Sequence, residues 1–82
     1  MNSSAVIEEK HLLDHRCRIG RRIKELREKK GFSQEKLAEQ MNVSRTTISK
    51  IEGGKFNCSI DYLSKFSWFL DFEFSISENK TK

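Results

Sequence analysis

The stretch "GFSQEKLAEQMNVSRTTISKIEGG", Gly31 to Gly54, constrains this chain more than any other. It holds two short runs of helical periodicity, each opened by a serine and closed by a residue that stops helices. Ser33 is placed to cap "QEKLAEQM", whose buried positions are Leu37, Ala38 and Met41. Asn42 follows where a left-handed residue ends the helix, a conformation Asn tolerates well. Ser44 caps the next run, with Ile48 and Ile51 as its buried positions, and Gly53-Gly54 breaks it. Its outer face is unusual. Arg45, Thr46, Thr47, Ser49 and Lys50 occur with no acid before Glu52, and β-branched threonines are mediocre helix formers.

On the N-terminal side, Ile19, Ile23 and Leu26 form the stripe of an amphipathic helix. Leu12 and Leu13 extend that helix or begin a preceding turn. Gly31 ends it as a C′ glycine after Lys29 and Lys30, which suit a helix C-terminus. Residues 1–10 show no strong periodicity and read as a flexible segment that frays or forms a short loose helix. On the C-terminal side, Ser59 or Asp61 starts a further helix with the stripe Ile60, Leu63, Phe66 and Leu70, flanked by Tyr62 and Phe69. The period then changes. "DFEFSIS", residues 71–77, alternates polar and apolar with Phe72, Phe74 and Ile76 on one face, as a half-buried strand does. Residues 78–82 read as a disordered tail. The reading is all-α: one domain over residues 11–70, four to five helices, and a short C-terminal strand.

With 82 residues, one small core is all the chain can bury, so oligomerisation would add stability. No apolar run approaches a membrane span, and the N-terminus lacks a secretory pattern, so a cytoplasmic location is expected. The net charge is +4, but residues 16–30 alone hold eight Lys/Arg against two Glu. Such a concentration suits a polyanion binder, although by itself it equally suits a solvated helix face. His11 and His15 lie one turn apart with Cys17 near. A fourth ligand is not evident, so no metal and no cofactor are expected. Cys17 and Cys58 read as free thiols. There is no nucleophile–base pair, phosphate-cradling glycine loop or carboxylate constellation, so the chain does not read as an enzyme.

Two short helices joined by a three- to four-residue turn have helix-turn-helix geometry. Gln34 to Gly53, with the preceding "LREKKGFS" and the following "KFNCSIDYLSKF", resembles the Cro/cI repressor type, the xenobiotic-response-element family. The likeness runs from about Ile19 to Ile76. Gln34 sits at the first motif position, Ala38 where the two helices approach closely, and Val43 in the turn. Ile48 and Ile51 sit at the core positions, and "SRTTISKIEGGK" is similar to the usual recognition segment. Asn42 replaces a commoner turn glycine, and Cys58 a frequent proline. The resemblance implies a lambda-repressor-like bundle that binds double-stranded DNA.

On that basis Arg45, Thr46, Thr47, Ser49 and Lys50 are expected to read bases in the major groove. Ser33, Gln34, Lys55, Asn57, Arg21 and Arg22 are expected on the phosphate backbone, with Gln34 at a helix start that favours an anion. The expected function is that of a homodimeric transcriptional regulator, a repressor on a palindromic operator, joined through strands carrying Phe72, Phe74 and Ile76. The alternatives are an antitoxin that also binds a toxin protein, or a restriction–modification controller. An irregular C-terminal segment packed on its own chain is the alternative to the strand.

Overall fold

The computed structural model describes residues 2–79, with side chains from Glu8 onward. The element order is α1 (Asn2–Lys29), α2 (Gln34–Met41), α3 (Arg45–Glu52) and α4 (Ile60–Leu70). No strand occurs among the described residues.

Helix α1 spans 28 residues. At 1.5 Å per residue that is about 42 Å, so α1 sets the longest dimension of a body measuring 44 × 26 × 19 Å. The expected flexible segment at 1–10 is corrected for Asn2 onward. Neither Pro nor Gly interrupts the chain before Gly20, and adding a residue to an existing helix is cheaper than starting one. Leu12 and Leu13 therefore belong to α1 rather than to a preceding turn. At its other end Gly31 adopts φ 81°, and the N–H of Phe32 reaches back to the carbonyl of Arg27 at 3.1 Å. That is the left-handed stop anticipated from the glycine.

The three short helices begin as their serines predict. Ser33, Ser44 and Ser59 each lie in extended conformation, and their hydroxyls accept from the N–H of Lys36, Thr47 and Tyr62 respectively. Asn42 closes α2 at φ 57°, ψ 46°. Only two residues, Val43 and Ser44, then separate it from α3, which fixes the angle between the two helices.

The core is Ile23, Leu37, Ala38, Met41, Ile48, Ile51, Phe66 and Leu70. Each large side chain buried there contributes about 1.5–3 kcal/mol relative to exposure. Helices α2 and α3 carry five of the eight, and α1 and α4 close over them. Gly20 lets α1 approach α3. A Cβ at that position would run into the carbonyl oxygens of Ile51 and Glu52, so only glycine fits.

Two expectations at the C-terminal side are corrected. Ile60 was placed on the buried stripe of α4, but it is 70% exposed. At 3.6 residues per turn it sits about 120° from Phe66 around the axis, at the margin of the buried arc. The segment 71–77 forms no strand within the single chain. Asp71 is the left-handed cap of α4 at φ 61°, and the Ser67 hydroxyl donates to the Phe72 carbonyl at 2.7 Å. Among the described residues no strand lies beside this segment to form the ladder a strand requires. Phe72 packs on the core of its own chain, and Phe74 meets it edge to face at 5.2 Å. Of the tail expected at 78–82, residues 80–82 lie outside the described residues.

Candidate nucleic-acid interface

Helix α3 divides into two faces because only Ile48 and Ile51 point into the core. Arg45, Thr46, Ser49 and Lys50 are all exposed, and at i, i+1, i+4 and i+5 they share the opposite face. Thr47 is half-buried at the edge between the two. Its hydroxyl lies 2.9 Å from that of Ser44, which also accepts the Thr47 N–H at 3.1 Å. The structure thus gives the Thr47 hydroxyl a capping role that the sequence did not reveal.

The expected backbone contacts come from the start of α2, the loop after α3 and α1, and Gln34 is bonded to Glu52 at the C-terminal end of α3. Ser33 and Gln34 form the start of α2. The first N–H groups of that helix lack intrahelical acceptors, and one of them, that of Lys36, is taken by Ser33 Oγ at 3.0 Å. Lys55 and Asn57 lie exposed in the loop after α3, whose direction is set by Gly54 at φ 73° and by the Lys55 N–H donating to the Lys50 carbonyl at 2.8 Å. Arg21 and Arg22 are exposed on α1, and Arg22 is bonded to Glu25 at 2.8 Å along the same helix.

Between these groups lies a polar cluster that the sequence did not single out. Arg27 Nε donates to Glu52 Oε2 at 2.6 Å, and Arg27 Nη2 donates to Glu52 Oε1 at 3.2 Å. Arg27 Nη1 also reaches the Phe32 carbonyl at 2.7 Å. The two side chains are 8% and 4% exposed, so this is a buried bidentate pair. Donating to the Glu52 carboxylate holds the pKa of the Arg27 guanidinium above its ordinary value, against the opposing cost of burial. Gln34 Nε2 donates to Glu52 Oε1 at 3.0 Å. One acid at the end of α3 therefore fastens α1, the α1–α2 loop and the first residue of α2. It also removes the only negative charge of α3 from the exposed face. A visible signal was present: Arg27 follows Ile23 by one turn, beside Leu26 on the inward side of α1, where a lone charge needs a partner. What sequence could not supply was the partner, 25 residues away.

Phe72 is half-buried, Phe74 is 48% exposed and Ile76 fully exposed. Trp68, on the outer side of α4, is 83% exposed. The His11 and His15 rings lie 4.3 Å apart, and no group of three or more metal-ligating side chains occurs among the described residues. Cys17 and Cys58 are unbonded, and burial pushes the Cys58 thiol up. Among the described residues no helix is long and apolar enough to cross a membrane.

Comparison with known proteins agrees with this geometry. The family model for the helix-turn-helix matches residues 23–75. The chain is 46% identical over 55 residues to the control protein C.MunI of a Mycoplasma species, covering 66% of this chain and 74% of that protein. It is 44% identical over 54 residues to the HTH-type transcriptional regulator SinR of Bacillus subtilis, covering 65% of this chain but 49% of SinR. The crystal structure of the restriction-modification controller protein C.AhdI from Aeromonas hydrophila superposes with a TM-score of 0.69 at 35% identity, over 73% of this chain and 91% of that one. With a lambda-repressor-like bundle, a polar outer face on α3 and these relatives, the chain belongs to the helix-turn-helix family of DNA-binding regulators.

Proposed function

We propose that this protein is a cytoplasmic, sequence-specific repressor that binds a palindromic operator as a homodimer and inserts α3 into the major groove. One observation carries the reading: the exposed face of α3 offers Arg45, Thr46, Ser49 and Lys50, while its only acid is buried against Arg27. A face that meets phosphates must be free of uncompensated negative charge, and here it is. Arg45 suits a bidentate pair with guanine. Thr46 and Ser49 suit hydroxyl or methyl contacts, and the methyl of Thr47 suits a thymine at the edge of the face. Ser33, Gln34, Lys55, Asn57, Arg21 and Arg22 set the register on the backbone. Gln34 enters that role with its amide already oriented by Glu52.

The exposed Trp68, Phe74 and Ile76 support self-association through α4 and the segment after it, since large apolar groups in water favour a partner. Among regulators, the likeness to two controller proteins favours a restriction–modification controller as the biological role. Selection of bound DNA from a random pool tests the whole reading. The expected product is an inverted repeat with half-site centres about 34 Å apart. Arg45→Ala should relax the preference at one base pair of each half-site by about 1–3 kcal/mol. An unchanged selected motif with Arg45→Ala would remove Arg45 from the readers, and no enriched motif at all would reject sequence-specific binding.

A further inference from the structure

The first half of α1 leaves the bundle. Cys17 and Gly20 are in close contact with Gly54 and the end of α3, Leu12, His15 and Arg16 lie over the loop that follows, and α1 runs on from there to Asn2 for about 15 Å. The family match covers residues 23–75, so this arm lies outside it. Leu12 and Leu13 are 54% and 50% exposed on it. A groove of about 200 Å³ runs beneath, lined by Leu12, His15, Arg16 and Ile19 of α1 with Phe56 and Leu63 opposite. Room for one or two leucine-sized side chains is open there.

The charges of the arm are sorted about Leu12. Glu8 and Glu9 stand one turn before it, and His15 and Arg16 one turn after it, all on the same side of the helix. They do not serve each other within the chain. The i+3 and i+4 neighbours of Glu9 are Leu12 and Leu13, and those of Arg16 are Ile19 and Gly20. Among the described residues, Glu8, Glu9 and Arg16 form no ion pair, whereas Arg22 and Glu25 do so farther along the same helix. A half-turn rotation about Leu12 lays the acidic end of one arm over the basic end of another. DNA is the poorer occupant, because residues 8–16 carry three acids against two permanent cations.

We propose that the α1 arm is a second self-association seam, in which the arms of two copies pack antiparallel with Leu12 on the two-fold axis. Glu8 and Glu9 of each copy then face Arg16 and His15 of the other, and the leucines enter the grooves. The contact is isologous, so each charge pairing occurs twice. This goes beyond the operator-binding reading and does not depend on it.

Sedimentation velocity of the full chain without DNA, over a concentration series, tests the seam. Arg16→Glu should weaken one association step about tenfold, since it turns two attractions into two repulsions. Glu8→Arg combined with Arg16→Glu should restore that step, and Leu12→Asp should abolish it with helicity unchanged. Failure of the charge swap to restore association would overturn the seam, as would a wild-type chain that stays monomeric throughout. Arg16→Glu that spares association but weakens operator binding would also overturn it, making the arm a DNA contact. Because association and DNA binding are read separately, loss of one hypothesis leaves the other testable.

Discussion

The middle of this molecule and its two ends use apolar residues in opposite ways. Within α2 and α3, Leu37, Ala38, Met41, Ile48 and Ile51 are at most 4% exposed, and every polar group at the junction has a partner. At the ends, Leu12, Leu13, Trp68, Phe74 and Ile76 stand about half or more in water. The middle is complete within one chain; the ends leave apolar surface open, which is what the proposed self-association would use. A small domain that must present a rigid reading surface and also assemble has reason to separate the two tasks. Rigidity is assigned to contacts made once, at folding, and assembly to surfaces that remain available.

The comparison is broken most severely at Glu52. Glu52→Ala leaves Arg27 buried with only the distant, exposed Glu28 carboxylate at 4.0 Å, and takes from Gln34 its Glu52 acceptor. Removing one partner of a buried pair costs about 3–5 kcal/mol, a large share of the stability of any small domain. Urea denaturation followed by circular dichroism should show the loss. The double variant Arg27→Met with Glu52→Leu should recover most of it, because replacing a buried pair with apolar groups of similar volume is often near neutral. A loss below about 1 kcal/mol for Glu52→Ala would mean that water reaches the pair and that the middle is not closed.

Gly20→Ala probes the same closure from the backbone side. A methyl there meets the carbonyls at the end of α3 with no flexible side chain to yield. Helix α1 must move outward, at about 1–3 kcal/mol, the usual cost of overpacking. Ala is otherwise the better helix former by about 1 kcal/mol, so a stabilised variant would show that α1 does not rest on α3 as described.

These two positions also mark where reading the sequence stopped. The serine caps, Asn42 and Gly31 were legible because each acts on its own backbone within a few residues. Most of the core was legible because helical periodicity is local too, although Ile19 and Ile60 of the expected stripes stand exposed. Gly20, Arg27, Glu52 and the hydroxyl of Thr47 were not, since what they do depends on the neighbour that folding brings to them. The strand differs: alternation in "DFEFSIS" records a pattern, but a ladder requires a second strand, and within one chain Phe72 packs on the core instead. For the candidate interface, the outer face of α3 followed from residue type and spacing. The device that keeps its acid away from DNA did not.

The smallest effect on stability should come from Trp68, and it sharpens the comparison most. Two positions beyond Phe66, it points about 200° around the axis from the core side of α4. Replacing it by serine removes almost no intramolecular contact, since the ring is 83% exposed. The unfolding free energy from urea titration should therefore change by no more than about 0.5 kcal/mol, as for surface substitutions generally. Association should respond very differently, because tryptophan at the centre of an interface commonly accounts for about 2 kcal/mol or more. Trp68→Ser is expected to raise the dimer dissociation constant by about 30-fold or more, while the isolated fold melts unchanged. If stability falls and association does not, Trp68 belongs to the closed middle of the molecule and the division between middle and end lies beyond it. If neither changes, the outer side of α4 is an ordinary surface, and the operator-binding dimer must be held by Phe74, Ile76 or the α1 arm.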